Sequence, residues 1–414
     1  MIPGLPFSPG RGRADKDNAL LQKVPMSRNA VILLAVTLTL VAVGVLMLYS
    51  ATAVMAERSQ KYNDSTWFLK RQLVWVLLGV AAMIVTSRVP YTFWEKQRLW
   101  VLLASAVLLA LVFAPGIGVS LNAARRWIRL GGWFFQPSEA AKLAIAVFLC
   151  GFAAKDPDRL RTFFRGFVPA FGILGLMCAM IIVEPDIGTT VFIALVMTLM
   201  LVVAGVRGLH LAPCVVGAGC LAAYYAITHT EHVMARLQTW WHPELDPLGK
   251  GHQILQSKLA LGAGGWLGEG LGRGTAKLYF LPEAHSDFIF PVIGEELGFV
   301  GTTLMILLYV TLGFAGYHIM HRAKDRFGFL LAFSLTTYII LQAAMNVAVV
   351  TAAIPTKGIP LPFVSAGGSS VLFTLAGVGM LVNIANATER GTCPEGDSAS
   401  CSPAGAPAAT SSPA

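Results

Sequence analysis

About ten long apolar runs, separated mostly by short polar loops, decide what this chain can become. They lie at about Ala30–Met55, Gln72–Thr86, Leu99–Phe113, Ser138–Ala154, Phe167–Val183, Ile187–Val206, His210–Ile227, Asp287–Met320, Phe327–Ala353 and Ser370–Ala387. In hydrocarbon every backbone N–H and C=O must pair within the protein, so only helices and closed barrels cross a bilayer. The runs lack the period-two alternation of barrel strands and therefore read as helices. The expected fold is an all-α polytopic membrane protein of about ten transmembrane helices, with a large outer loop at about residues 228–286 between the seventh and the eighth. A chain with 55% hydrophobic and 13% charged residues is not a soluble globule built on one core. Residues 1–28 are basic and rich in Pro and Gly, residues 29–387 form one membrane domain, and residues 388–414 are a small-residue tail. Both ends are expected to be disordered. No cleavable signal peptide is expected, because the first apolar run is long enough to remain as an anchor.

Charge orients the bundle. The basic N-terminal segment, Arg88, Lys96, Arg98, Lys155, Arg159, Arg161, Arg165, Arg207, Arg322, Lys324 and Arg326 fall on one side, which the positive-inside rule makes cytoplasmic together with both termini. That bias explains most of the net charge of +9, and no nucleic-acid partner is implied. A second cationic set faces outward: Arg125, Arg126, Arg129, Arg236, Lys250, Lys258, Arg273, Lys277 and Lys357. It suits either a pyrophosphorylated ligand or anionic lipid headgroups. Cys150, Cys178, Cys214 and Cys220 lie in apolar runs and Cys393 and Cys401 in the tail, which is no disulfide pattern.

The segment Leu281–Gly298, LPEAHSDFIFPVIGEELG, gathers Glu283, His285 and Asp287 at the mouth of the eighth apolar run. A carboxylate there is costly and is a functional candidate. Two roles compete for Asp287: an N-cap of the following helix, and a general base made more proton-hungry by desolvation between Phe288 and Phe290. Glu283 is placed to orient a ligand or help hold a divalent cation, although the Glu283, His285, Asp287 spacing matches no zinc pattern. Glu295 and Glu296 are expected to be buried and paired, with Lys142 as one partner. Ser138 and Glu139 open the fourth helix, and Glu139 also pairs locally with Lys142. Glu184 and Asp186, on either side of Pro185, read as an outward turn. The stretch GAGGWLGEGLGRGTAK lacks the GK[ST] of a phosphate loop, so its glycines are assigned to close packing or bending at the membrane surface.

Five stretches, in order, resemble the FtsW/RodA family of bacterial membrane proteins, also called SEDS proteins. They are ARRWIRLGGWFFQPSEAAKL at 124–143, EPDIGTT at 184–190, GHQILQSKLALGAGGWLGEGLG at 251–272, LPEAHSDFIFPVIGEELG at 281–298 and PTKGIPLPFVSAGGSS at 355–370. The resemblance covers about Ala30–Ala387. PTKG, LPEAH, FLKRQ at 68–72 and the basic extension resemble the division branch, FtsW, more than the elongation branch, RodA. Departures are Ala366 where Tyr is usual, Ala123 for Gly, Ala263 for Ser, Glu184 where Gln is common, and Ser286 for Thr.

The resemblance implies a peptidoglycan glycosyltransferase of the bacterial plasma membrane, at the septum, that polymerises lipid II. It implies Asp287 as the base that deprotonates the acceptor sugar hydroxyl. Arg125, Arg126, Lys142, Arg236 and Lys357 are assigned to the pyrophosphate leaving group, and Glu283, Ser286 and Ser365 to further substrate contacts. An assisting divalent cation, Mg²⁺ or Mn²⁺, belongs to the same expectation. The implied partners are a class B penicillin-binding protein and other membrane proteins of the division machinery. Two other readings, a lipid II flippase and a non-catalytic division scaffold, predict that the Asp287 carboxylate is dispensable.

Overall fold

The computed structural model describes residues 26–389 apart from 61–62, 122–123, 229, 248, 250 and 279. Residues 1–25 of the extension and 390–414 of the tail lie outside the described residues. The chain runs through α1 (Arg28–Arg58), α2 (Trp67–Arg88) and α3 (Tyr91–Leu111). A small antiparallel sheet follows: β1 (Gly118–Leu121), β2 (Ala124–Leu130) and β3 (Trp133–Phe135), paired in that order. Then come α4 (Pro137–Lys155), α5 (Val168–Val183), α6 (Ile187–Val203) and α7 (Gly208–Thr228). The large loop carries α8 (Thr230–Trp241) and α9 (His252–Ala263), and the chain ends on α10 (Ile289–His321), α11 (Arg326–Val350) and α12 (Gly368–Glu389).

Each apolar run coincides with a helix. Among the described residues, seven helices are long and apolar enough to cross a membrane, while α6 is apolar but shorter at 17 residues. The chain is therefore a multi-pass helical membrane protein. Residues 114–137, one of the polar stretches between apolar runs and expected as a loop, are not irregular throughout. There the residues fold as strands because Gly131 takes φ 61 in the turn that pairs Leu130 with Trp133. The innermost spans are α4 and α12, each with 78% of its span buried inside the protein, against 22% for α2. Polar bonds join spans within the bundle: Thr86 of α2 donates to the Ala376 carbonyl of α12 at 2.9 Å, and Tyr309 of α10 to the Pro362 carbonyl at 2.5 Å.

Charge divides between the two ends. At one end Tyr91 bonds Asp325, Arg98 donates to the Gly151 carbonyl at 2.9 Å, and Arg326 donates to the Ala204 carbonyl. The sheet, the α5–α6 turn and the loops before α10 and α12 meet at the opposite end.

The head of α10 is separate from its shaft. At Gly298 the backbone leaves the helical region (φ 67, ψ −166). The break exposes carbonyls that the glycine-rich segment after α9 satisfies: Glu269 N–H donates to the Glu295 carbonyl at 2.9 Å and Gly270 N–H to that of Glu296 at 3.1 Å. Side chains would forbid so close a wrap. A Cβ on Gly268 would lie 2.2 Å from the Glu296 carbonyl oxygen. The glycines thus serve close packing, as expected.

The partner of Glu296 differs from the expectation. Lys277, not Lys142, sits 2.5 Å from Glu296 Oε1, and Ser50 of α1 donates to the same carboxylate at 2.7 Å. Glu295 instead accepts Thr275 N–H at 2.7 Å and Ala276 N–H at 3.1 Å. The fold-back of the glycine-rich segment brings Lys277 onto α10. Lys142 remains with Glu139 on α4, at 2.7 Å.

Candidate active site

Asp287 is delivered by a tight turn. Glu283 adopts φ 54, and its carbonyl accepts Ser286 N–H at 3.1 Å and Phe288 N–H at 3.2 Å. Ser286 Oγ closes the turn on Glu283 Oε2 at 2.7 Å. Phe288, Ile289 and Phe290 are buried and anchor the far side. The helix begins after Phe288, and no side chain caps it. The Asp287 carboxylate accepts no hydrogen bond from a described residue, so it does not cap α10. It is half-buried and seats against Gly358 of the PTKG stretch, where a Cβ would lie 2.6 Å from Asp287 Oδ2.

Backbone bonds stitch the two loops together. Asn346 of α11 donates to the Asp287 carbonyl at 2.8 Å and to the Ile359 carbonyl at 2.7 Å. Ser365 Oγ donates to the Ser286 carbonyl at 2.6 Å and accepts Leu361 N–H at 2.8 Å, while Ala366 N–H donates to the His285 carbonyl at 2.9 Å. Ser365 thus spends its hydroxyl on positioning the turn. Asn346→Ala leaves two carbonyls without their donor and is expected to cost about 1–3 kcal/mol. The check is amide hydrogen exchange, which should quicken at residues 286–288 and 359–366; unchanged protection there would remove Asn346 from the support.

Burial pushes the Asp287 carboxyl up to about 7, with help from Glu283 and Asp186 and against the pull of Arg126. Burial also lowers His285, against the pull of Glu283; the His285 ring lies 5.6 Å from that of Phe68. Arg126 comes from β2. Its Nη1 is 3.8 Å from Asp186 Oδ2, and its buried Nε has no partner among the described residues. Asp186 is buried and caps α6: it accepts Thr189 N–H at 3.1 Å and Thr189 Oγ1 at 2.9 Å, and also Gln136 Nε2 at 3.3 Å. Glu184 beside it is 0% exposed, and neither of its oxygens has a partner among the described residues.

The sequence-derived cations separate into groups. Arg125 and Arg126 are neighbours on β2 at a bulge, where Arg126 is the extra residue between the partners of Val119 and Ser120. Arg125 Nη2 donates to the Ala114 carbonyl at 2.9 Å, and only Arg126 acts on Asp287. Lys357, half-buried, precedes Gly358 and makes no ion pair among the described residues. Lys142 is paired with Glu139, its ammonium 5.1 Å from the Tyr338 ring centre, in a cavity also lined by Ser334, Phe373 and Thr374. The side chain of Arg236 lies outside those described. Among the described residues, no three His, Cys, Asp or Glu side chains converge as a metal cage. Sequence reasoning missed Gln136, Asp186 and Asn346. Asp186 carried a readable signal, an Asp just ahead of an apolar run with Thr189 three residues on.

Comparison with known proteins places these features in a wider set. A sequence-family model of cell cycle proteins of the FtsW, RodA and SpoVE type matches residues 30–390. The probable peptidoglycan glycosyltransferase FtsW of Trichlorobacter lovleyi is 41% identical over 85% of this chain and 92% of its own length. The stage V sporulation protein E of Bacillus subtilis is 39% identical over 85% of this chain and 96% of its own. Among solved structures, a chain of a peptidoglycan synthase complex that coordinates polymerization and crosslinking superposes with a TM-score of 0.67 at 25% identity, covering 86% of this chain and 97% of that one.

Proposed function

The chain belongs to the FtsW, RodA and SpoVE family of cell cycle proteins, and from that membership and the site we propose that it is a septal peptidoglycan glycosyltransferase with Asp287 as general base. The substrate is lipid II. An acceptor sugar hydroxyl attacks the anomeric carbon of the donor; the new glycosidic C–O bond forms as the bond to the lipid-linked pyrophosphate breaks. Asp287 takes the hydroxyl proton and later returns it to water. The pyrophosphate leaves as an anion and needs no general acid, so one carboxylate and a cationic wall suffice. Arg126 and Lys357 form that wall. Glu283, Ser286 and Ser365 hold the turn that aims the base.

The single observation behind this reading is the Asp287 carboxylate itself: half-buried, free of hydrogen bonds from described residues, and raised to about 7 within reach of Arg126. A base must be ionised to act. The rate therefore rises with pH through about 7 on the acid side. A divalent cation enters only as one shared between one or two carboxylates and the phosphates of the substrate, and no step is routed through it. The multi-pass protein sits in the plasma membrane with both termini cytoplasmic and the Asp287 end outward. A class B penicillin-binding protein is its crosslinking partner, in line with the synthase complex that it resembles.

The test is polymerisation of lipid II by the purified protein with that partner, with and without Mg²⁺ or Mn²⁺. No glycan strands under any condition would overturn the assignment. Arg126→Gln removes one charge-assisted contact and is expected to lower kcat/KM for lipid II by about 10- to 100-fold. An unchanged kcat/KM would take Arg126 out of the leaving-group wall.

A further inference from the structure

We propose that Glu184 works as a neutral, protonated carboxylic acid that leaves Arg126 free to serve the site, and that its ionisation sets the alkaline limit of the enzyme. This inference rests on the polymerase reading given above and adds a positioning residue to it.

Glu184 ends α5 and is entirely enclosed, with both carboxyl oxygens buried and without a partner among the described residues. A carboxylate stripped of water and given no donor is the least favourable state that a Glu side chain can take, and it escapes by keeping its proton. The donors of the turn go to Asp186, which accepts Thr189 N–H, Thr189 Oγ1 and Gln136 Nε2 and has the Arg126 guanidinium 3.8 Å away as an ion-pair partner. Two carboxyls of one turn thus occupy opposite environments, one supplied with donors and one denied them. That contrast leaves Glu184 the carboxyl that keeps its proton.

The charged groups acting on Glu184 are few. Asp186 repels its ionised form from the same turn, and Arg126 from β2 favours it; burial outweighs both and lifts the carboxyl to about 8. α6 carries no titratable side chain, and α5 carries only Cys178. On α4, Glu139 and Lys142 close on each other. On α3 the charges, Glu95, Lys96 and Arg98, sit in the early turns, at the end where Arg98 bonds the Gly151 carbonyl.

Function follows from charge. With Glu184 neutral, Arg126 is shared between Asp186 and the space beside Asp287. An ionised Glu184 competes for the same guanidinium, withdraws it from the pyrophosphate, and adds negative charge where an anion must leave. Gln is a neutral side chain of the same shape. The Glu of this chain matches it only while protonated.

The experiment compares wild type with Glu184→Gln, purified in an ester-free detergent and assayed with the crosslinking partner. In wild type kcat/KM for lipid II should fall as pH rises through about 8, and Glu184→Gln should keep its rate there while matching wild type at neutral pH. The wild-type minus Glu184→Gln infrared double difference, in which the Asp287 carboxyl near 7 cancels, should show a protonated-carboxyl stretch that titrates away through about 8. A raised carboxyl pKa means that the folded state binds the proton more tightly. Stability linked to Glu184 is therefore greatest below 4.5 and lost as pH rises to about 8, so wild-type Tm should fall relative to the variant across that window. Identical alkaline limbs in the two proteins, or no titrating carboxyl band in that double difference, would overturn the proposal. If neither protein polymerises lipid II, the functional reading falls. The infrared titration then decides Glu184 alone: its band upholds the protonated state, and its absence refutes it.

Discussion

Asp287→Asn is expected to cut lipid II polymerisation by about 10²- to 10⁴-fold, the usual contribution of a positioned general base. The change is close to isosteric. Asn346 holds the Asp287 backbone carbonyl, not the side chain, so the turn keeps its support. Gly358 still seats an oxygen or nitrogen of similar size. Lipid II binding should therefore survive, with the loss in kcat and not in KM. The acid limb through about 7 should vanish from whatever rate remains. Single-turnover polymerisation with the partner, beside a binding measurement, separates these quantities. A wild-type rate would remove Asp287 from the chemistry. Lipid II translocation in proteoliposomes that survives Asp287→Asn would point to transport instead, and normal cell division with that variant to a scaffold.

The largest effect on stability is expected from Lys277→Met. It strands Glu296, which is 0% exposed, with Ser50 Oγ and Gly272 N–H as the only donors to its side chain left among the described residues. Removing one member of a buried ion pair costs about 3–5 kcal/mol, because the other is left as an uncompensated charge. Replacing both members by apolar side chains is far milder. Lys277→Met should thus melt well below wild type in detergent, and Lys277→Met with Glu296→Leu should recover most of the difference. A Lys277→Met protein that melts like wild type would show that the pair contributes nothing measurable.

The spans were legible because apolar length is a direct physical requirement of the bilayer, and every expected run became a helix. Asp287 stood out as a candidate for a related reason: a carboxylate at the mouth of an apolar run has few innocent explanations, and the structure removes capping from among them. The sheet was missed although its signal was present. ARRWIRL and WFF flank Gly131 and Gly132, a hairpin pattern, although the bulge at Arg126 would not have followed from it. The Lys277–Glu296 pair was not legible. Sequence shows a cation in an outer loop and a carboxylate in a helix, and only the fold-back allowed by glycines such as Gly268, at φ 79, joins them. Asn346, a lone amide in an apolar run, was a visible anomaly whose two acceptors both depend on loop geometry.

The broken head of α10 has a mechanical meaning. The segment after α9 is fastened on both sides of Gly298, through Glu269 and Gly270 to the carbonyls before it and through Phe299 and Val300, which donate to the Gly265 and Trp266 carbonyls, after it. Lys277 and Ser50 clamp the same block to α1. A tug on α9 is consequently not absorbed by slack chain. It passes into the short piece of helix that follows Asp287, so the aim of the proposed base is coupled to whatever grips α9.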